Sequence, residues 1–238
     1  MYYDTAWKHW ESKQDNQAFI DFNNAKAIFQ NHNDNAGIAK CLINMAIIMG
    51  DNGDYYGSQK TSLDAIQYLD TNNTEQREIL SSNYNNLGKV TQNLKDYEKA
   101  EFFFKEAVKF TNDSSSLFIY NNNIANNYRY QRRYDNSIKI YNSLLNTENE
   151  QISSKTFSRI LDNLAFTKFL QNPNYNAEPE LNQALSMRRK IDDLWGQNAS
   201  QAHLSDYLYD KDKSKSLFHA KKMLEISIKL NSSDDELV

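Results

Sequence analysis

One arrangement of small and large residues recurs six times along this chain, and it restricts the fold more than any other feature. The clearest copy runs Tyr84, Leu87, Gly88, then Tyr97, Ala100, Phe104 and Ala107, with the small residues at 88, 100 and 107. The first small position recurs as Ala6, Ala46, Gly88, Ala125, Ala165 and Ser205, at intervals of 37 to 42 residues. Twelve residues later come Ala18, Ser58, Ala100, Ser137 and Ala177, with Ser216 only eleven later in the last copy. Four further on lie Phe22, Ser62, Phe104, Tyr141, Leu181 and Ala220, and three beyond those Ala25, Ala65, Ala107, Leu144, Ala184 and Met223. Such a period belongs to repeated helix pairs. Small residues on two antiparallel helices let the backbones approach at the crossing, and the large residue four positions on fills the space beside it. One such pair cannot bury its apolar face alone, so successive pairs must stack.

Composition agrees. The chain holds six Gly and two Pro, where ordinary usage would give about 17 and 12. A sandwich, a barrel or a dinucleotide-binding fold needs those residues at its many turns, so an all-α fold is expected. Tyr55, Tyr97 and Tyr134 each follow a polar turn (Gly53-Asp54, Lys95-Asp96, Arg132-Arg133) and should open the second helix of a pair. Polar clusters at 31–35, 70–74, 112–116, 147–151 and 231–233 supply N-caps between pairs. The expected units are 1–32, 34–72, 75–112, 115–149, 152–193 and 197–231, in one array without a linker. Pro179 is tolerated only in a first turn, so the second helix of the fifth unit should start late, near Asn176. Residues 233–238 (Ser-Asp-Asp-Glu-Leu-Val) read as a cap opening a further helix, which makes the chain read as part of a longer protein.

The spacing resembles the tetratricopeptide repeat, on Tyr84, Leu87, Gly88, Tyr97, Ala100, Phe104 and Ala107, and next on Ile124, Ala125, Tyr128, Tyr134 and Tyr141. The family's closing Pro is absent from every unit, and each period exceeds the family's by several residues. The resemblance implies a right-handed superhelical solenoid of about six antiparallel helix pairs that binds protein or peptide segments. Longer units of this kind are similar to those of bacterial signalling arrays and of peptide-pheromone receptors.

Chemistry is sparse. His9, His32, His203 and His219 are not paired with His or Cys at metal-ligand spacing, and no phosphate-binding or nucleophile motif is present. His9 falls in a core column, His32 in a loop, and Cys41 reads as a buried structural thiol. No enzyme activity, cofactor or metal is expected. A net charge of −4 and a pI of about 5.6 argue against nucleic acid or an anionic membrane as the main partner. No run of about 18 apolar residues is present to span a membrane. Compartment stays open: cytoplasmic by default, periplasmic if a longer protein carries a signal and a membrane helix. Arg129-Tyr-Gln-Arg132-Arg133-Tyr134 interleaves Arg with Tyr as a single-strand groove would, but reads better as a turn, and Arg188-Arg189-Lys190 as a helix C-terminus offsetting its dipole.

One column asks for more than packing. Two residues before the first small position stand Asn44, Asn86, Asn123 and Asn163. In tetratricopeptide arrays this stripe of the first helices lines the groove, and here it also carries Lys40, Ile43, Lys89, Asn126, Arg129, Arg159, Asp162 and Phe166. An amide offers a donor and an acceptor, so an Asn ladder could pair with the backbone of an extended peptide. The competing reading is helix-to-helix bonding in a chain rich in Asn, with 31 in all. The family's chaperone-binding carboxylate clamp is not supported: Asn126 and Asn163 could serve, but Asn122 stands where Lys is required, and Ala199 and His203 replace the basic pair. The expected site is Lys40, Asn44, Asn86, Lys89, Asn123, Asn126, Arg129, Arg159, Asn163 and Phe166, holding an acidic or carboxylate-ended segment, with Ile43 and Phe166 as apolar footholds. The expected role is a non-catalytic scaffold, the repeat portion of a longer bacterial signal-transduction or transcription-regulatory protein. The alternatives are a soluble receptor for a small peptide signal and a structural adaptor acting by self-association.

Overall fold

Each of the six expected pairs forms two helices. The structure is a computed structural model that describes residues 2–146 and 153–230. Its helices are α1 (Tyr2–Glu11), α2 (Asp15–Asn31), α3 (Asn35–Asp51), α4 (Tyr55–Ile66), α5 (Thr74–Asn93) and α6 (Tyr97–Phe110), followed by α7 (Ser114–Tyr130), α8 (Tyr134–Leu145), α9 (Ser154–Gln171), α10 (Glu178–Lys190), α11 (Leu194–Leu208) and α12 (Lys213–Leu230). No strand occurs among the described residues. The polar clusters expected at 147–151 and 231–233 and the further helix expected at 233–238 lie outside them. Pro179 falls in the first turn of α10, behind Ala177 as N-cap. The sixth pair opens at Leu194, three residues ahead of the expected start at 197, because Asp193 caps α11 through the Gly196 N–H.

The turns explain how a chain short of glycine makes six sharp reversals. Lys13, Asn33, Gly53, Lys95, Arg132 and Asp192 all have φ between 51° and 83°. At each, two backbone bonds close the preceding helix: Lys95 N–H donates to Gln92 O at 2.9 Å and Asp96 N–H to Thr91 O at 3.1 Å, and the other five turns repeat this pair. The residue after the left-handed one becomes the next N-cap. Asp34, Asp54, Asp96 and Asp193 fill that place with carboxylates that accept a first-turn N–H. Five of the six turns hold a non-glycine residue in this region, at a conformational cost of about 1–2 kcal/mol each.

The repeat columns are where the helices meet. Ala6, Ala46, Ala125 and Ala165 are fully buried, as are Ala18, Ser58, Ala100, Ser137 and Ala177 from the second helices. At Gly88 a Cβ would collide with the ring of Phe104, so this crossing has no space even for alanine. Ser205, Ala220 and Met223 of the sixth pair are only half-buried, and no described helix follows α12 to cover them.

Contacts gather into two compact units, Met1–Asn127 and Tyr128–Val238, with the division inside α7. In the first unit Phe22, Met45 and Ile48 pack around Ala6 and Ala18, flanked by Tyr3, Trp10 and Phe19. In the second, Phe166, Leu181, Leu185, Leu204, Tyr207 and Leu208 close over Ala165 and Ala177. Within each unit a first helix also touches the first helix of the next pair, α3 on α5 and α9 on α11. The first of these contacts sets α3, with Lys40 and Asn44, against α5, with Asn86 and Lys89.

Candidate functional site

In the first unit the amides on this face spend donors inside the protein. Asn44 donates to the Tyr3 hydroxyl at 3.1 Å, Asn86 to Ser62 Oγ at 3.0 Å and Asn123 to Asn85 Oδ1 at 2.8 Å. Asn83 and Asn127, outside the expected column, donate to the carbonyls of Ser62 and Tyr97, both at 2.8 Å. Each bond ties one helix to another. Asn44 and Asn86 keep only 7% and 6% of their surface, while Asn123 and Asn126 are half-buried. The cations differ. Lys40 pairs with Glu75 at 3.1 Å, so its charge is partly offset, and Lys89 is exposed and acts on Asp51, whose carboxyl burial raises and Lys89 lowers. Lys40, Ile43 and Asn44 line an open depression of about 300 Å³ with Tyr3, Glu78, Ile79 and Ser82. Glu78 is fixed there, accepting from the Thr111 hydroxyl at 2.6 Å and the Asn112 N–H at 2.8 Å.

The second unit places ions on the corresponding face. Asp162 is fully buried. Ser200 Oγ donates to its Oδ1 at 2.7 Å and His203 Nδ1 to its Oδ2 at 2.6 Å, with Arg188 Nη1 at 3.5 Å. Burial alone would raise this carboxyl, but His203, Arg188 and Ser200 together hold it below the usual range. Arg188, read from sequence as a helix-terminal charge, turns inward instead: it is 2% exposed and donates to Gly196 O and Ser200 Oγ, both at 2.6 Å. Arg159 is half-buried, and burial, with Arg188 nearby, lowers its pKa.

The rim of this cluster is aromatic and cationic. The His203 ring stacks on Phe166 at 4.0 Å and 13°. Arg129 lies 5.6 Å from the centre of Phe166 and 5.4 Å from that of Tyr130, with Nη1 at 3.4 Å from His203 Nε2. Phe166 is buried beneath these groups, 8% exposed, and Asn163 is 7% exposed. A foothold of free aromatic surface is therefore not what Phe166 offers; it backs the imidazole and the guanidinium. The Ser, His and Asp do not form a nucleophilic relay, because Ser200 bonds the carboxylate and the far imidazole nitrogen faces Arg129. Asp162, Arg188, Ser200 and His203 were missed as a group. The i, i+3 spacing of Ser200 and His203, opposite a lone acidic residue on the stripe, is the signal that could have found them.

Elsewhere the smaller expectations resolve locally. His9 is bonded to Asp21 at 2.7 Å and keeps part of its ring in solvent. Cys41 is buried and its thiol is pushed up to about 12 by desolvation. Arg132 occupies a turn, and Arg133 lies over Tyr128 at 4.4 Å. No group of three or more His, Cys, Asp and Glu able to hold a metal occurs among the described residues, and none of their helices is long and apolar enough to cross a membrane.

Residues 81–114, the copy with Gly88 and Phe104, match the Tetratricopeptide repeat family. The chain carries the tetratricopeptide-repeat fold. Solved structures of this fold align along most of its length. The apo form of RapI matches with a TM-score of 0.80 at 14% identity, over 97% of this chain and 83% of that one. BtubC from P. vanneervenii matches at 0.63 and 15%, over 88% of each chain. A signal transduction ATPase with numerous domains and a tetratricopeptide-repeat sensor, PH0952 from Pyrococcus horikoshii, matches at 0.60 and 20%, over 91% of this chain. This chain spans about a third, 34%, of that protein. No curated protein matches the sequence. The tetratricopeptide fold is a protein-binding scaffold, in general without catalysis of its own.

Proposed function

We propose that this chain binds a protein or peptide segment on its first-helix face without catalysing a reaction, and that the segment is acidic or carboxylate-ended. The observation that supports the acidic preference is the charge balance of the second unit. Arg129, Arg159 and Arg188 gather on or behind one face, and the buried carboxylate among them, Asp162, is already engaged. Positive potential at that face steers an anionic ligand despite the overall −4. In the first unit the depression beside Tyr3, Ile43 and Ile79 suits an apolar side chain of the ligand, while the Asn column serves chiefly to join helices.

The likeness to about a third, 34%, of a signal transduction ATPase that carries a tetratricopeptide-repeat sensor supports placing the chain inside a longer signal-transduction protein. The alternatives are a receptor for a small peptide signal and a structural adaptor acting by self-association. Fluorescence anisotropy with fluorescein-labelled hexaglutamate, hexaglutamine and hexalysine decides the ligand class. Hexaglutamate should bind most tightly, weaken with salt, and lose at least tenfold on Arg129→Glu with Arg159→Glu. Equal affinity for the three peptides would overturn the acidic preference. Concentration-dependent light scattering with no peptide bound would favour self-association.

A further inference from the structure

The depression on the first unit has polar groups that are fixed in place and only half spent. Asn44, 7% exposed, donates its amide N–H to the Tyr3 hydroxyl at 3.1 Å. The phenol oxygen accepts there, so its own proton is left to donate. The amide oxygen of Asn44 has no partner among the described residues. Glu78 is held from the other side, Oε2 by the Thr111 hydroxyl at 2.6 Å and Oε1 by the Asn112 N–H at 2.8 Å. Each of its oxygens can accept a second bond, and no cation among the described residues pairs with it. Lys40 at the rim is engaged by Glu75 at 3.1 Å. Of these three charges, Lys40 and Glu75 answer each other, and the Glu78 carboxylate is left over. Ile43 of α3 and Ile79 of α5 supply the apolar wall.

We propose that this depression receives the first residue of a peptide, its free N-terminal ammonium bound by Glu78 and its apolar side chain laid on Ile43 and Ile79, which rests on the reading above of the depression as a seat for an apolar side chain. A terminal residue carries, within a few bonds, every group these side chains ask for. Its ammonium brings three donors, for the Glu78 carboxylate and the Asn44 oxygen, and the bond to Glu78 is charge-assisted. Its carbonyl accepts the Tyr3 proton. An internal residue would offer a side chain and a carbonyl but no charge for Glu78. A lysine side chain would offer the ammonium on an apolar stem but no acceptor for Tyr3. The volume, about 300 Å³, lies at the small end of ligand sites, which suits one residue rather than a long segment. Glu78 and Tyr3 are already ordered by their own bonds, so little freedom is lost when the ligand arrives.

The test is an NMR titration that follows the Ile43 and Ile79 methyl groups and the Tyr3 ring, which read occupancy at this place alone. The probes are tetrapeptide amides at about pH 6.5, below the range where a terminal amine loses its proton. Leucyl-triglycine amide should shift these signals saturably. N-acetylation removes the ammonium and should weaken binding by about tenfold or more, and tetraglycine amide, without the side chain, should bind about fivefold or more weakly. Glu78→Gln, which keeps an oxygen for the Asn112 N–H, should bind the free and acetylated leucine peptides alike. Lys40→Gln removes the cation at the rim and should bind the free peptide more tightly; weaker binding would overturn the charge assignment. Equal binding of the free and acetylated leucine peptides by the wild type overturns the N-terminal site and leaves the apolar seat standing. N-acetyl-lysyl-triglycine amide binding as tightly as leucyl-triglycine amide also overturns it, in favour of a lysine side chain. No shift with any peptide overturns both the site and the seat. None of the probes carries a carboxylate, so each of these outcomes is independent of the acidic preference of the second unit.

Discussion

The two units answer the same question, how to engage the polar groups that first helices carry with neighbouring helices, with different chemistry. The first uses neutral amides: Asn44, Asn86 and Asn123 each donate across a helix boundary at 2.8–3.1 Å. The second uses ions, with Asp162 bound by His203, Ser200 and Arg188. A neutral hydrogen bond contributes about 1 kcal/mol and responds little to pH. A buried ion cluster adds little net stability while intact, yet costs much when one member is removed, because the remaining charge is stranded. One unit is thus joined by many small, independent bonds, the other by one coupled group of ions.

The largest effect should come from Asp162→Ala, which strands Arg188: a loss of about 3–5 kcal/mol in denaturant unfolding. A loss under 1 kcal/mol would erase the contrast between the units. The pH dependence sharpens it. The Asp162 carboxyl is depressed in the fold, so its contribution is present above the unfolded carboxylate value of about 3.9 and is lost as pH falls through that value toward the folded one. The wild type should therefore lose stability below about pH 4 more steeply than Asp162→Asn does. Next in size, Gly88→Leu in the first unit should cost about 1–3 kcal/mol or more by overpacking against Phe104. An unchanged melting temperature would contradict the crossing. Asn86→Ala should cost only about 1 kcal/mol, by the same amount at pH 5 and pH 8. The smallest change is a gain. Lys95→Gly and Arg132→Gly, one in each unit, should each stabilise by up to about 1 kcal/mol by relieving a left-handed residue. Unequal gains would show that the units do not share their turn chemistry.

The fold was legible because its determinants are periodic. Ala6, Ala46, Ala125 and Ala165 announce their crossings by size alone, and all four are fully buried. Tyr55, Tyr97 and Tyr134 open α4, α6 and α8 because the preceding turn residues end one helix and cap the next. The candidate site was legible only as a stripe. The sequence put Asn44 and Asn86 on it but could not say that Tyr3 and Ser62 would claim their donors, since those partners come from other helices. Arg188 shows the limit most clearly. In a run of three basic residues at a helix end it looks like a dipole partner, and only the approach of α9 and α11 turns it inward.

Residue order and size dictated the helix pairs and their capped turns, and put Lys40, Arg129, Arg159 and the Asn column on one stripe of the sequence repeat. Those features depend on neighbours within a few residues and on a repeat that every unit restates. Which polar groups on that face are spent and which remain for a ligand was settled by packing between helices, at separations such as the 41 residues between Asp162 and His203. A buried carboxylate and an imidazole hold each other strongly only when the fold has removed the water that would otherwise screen them.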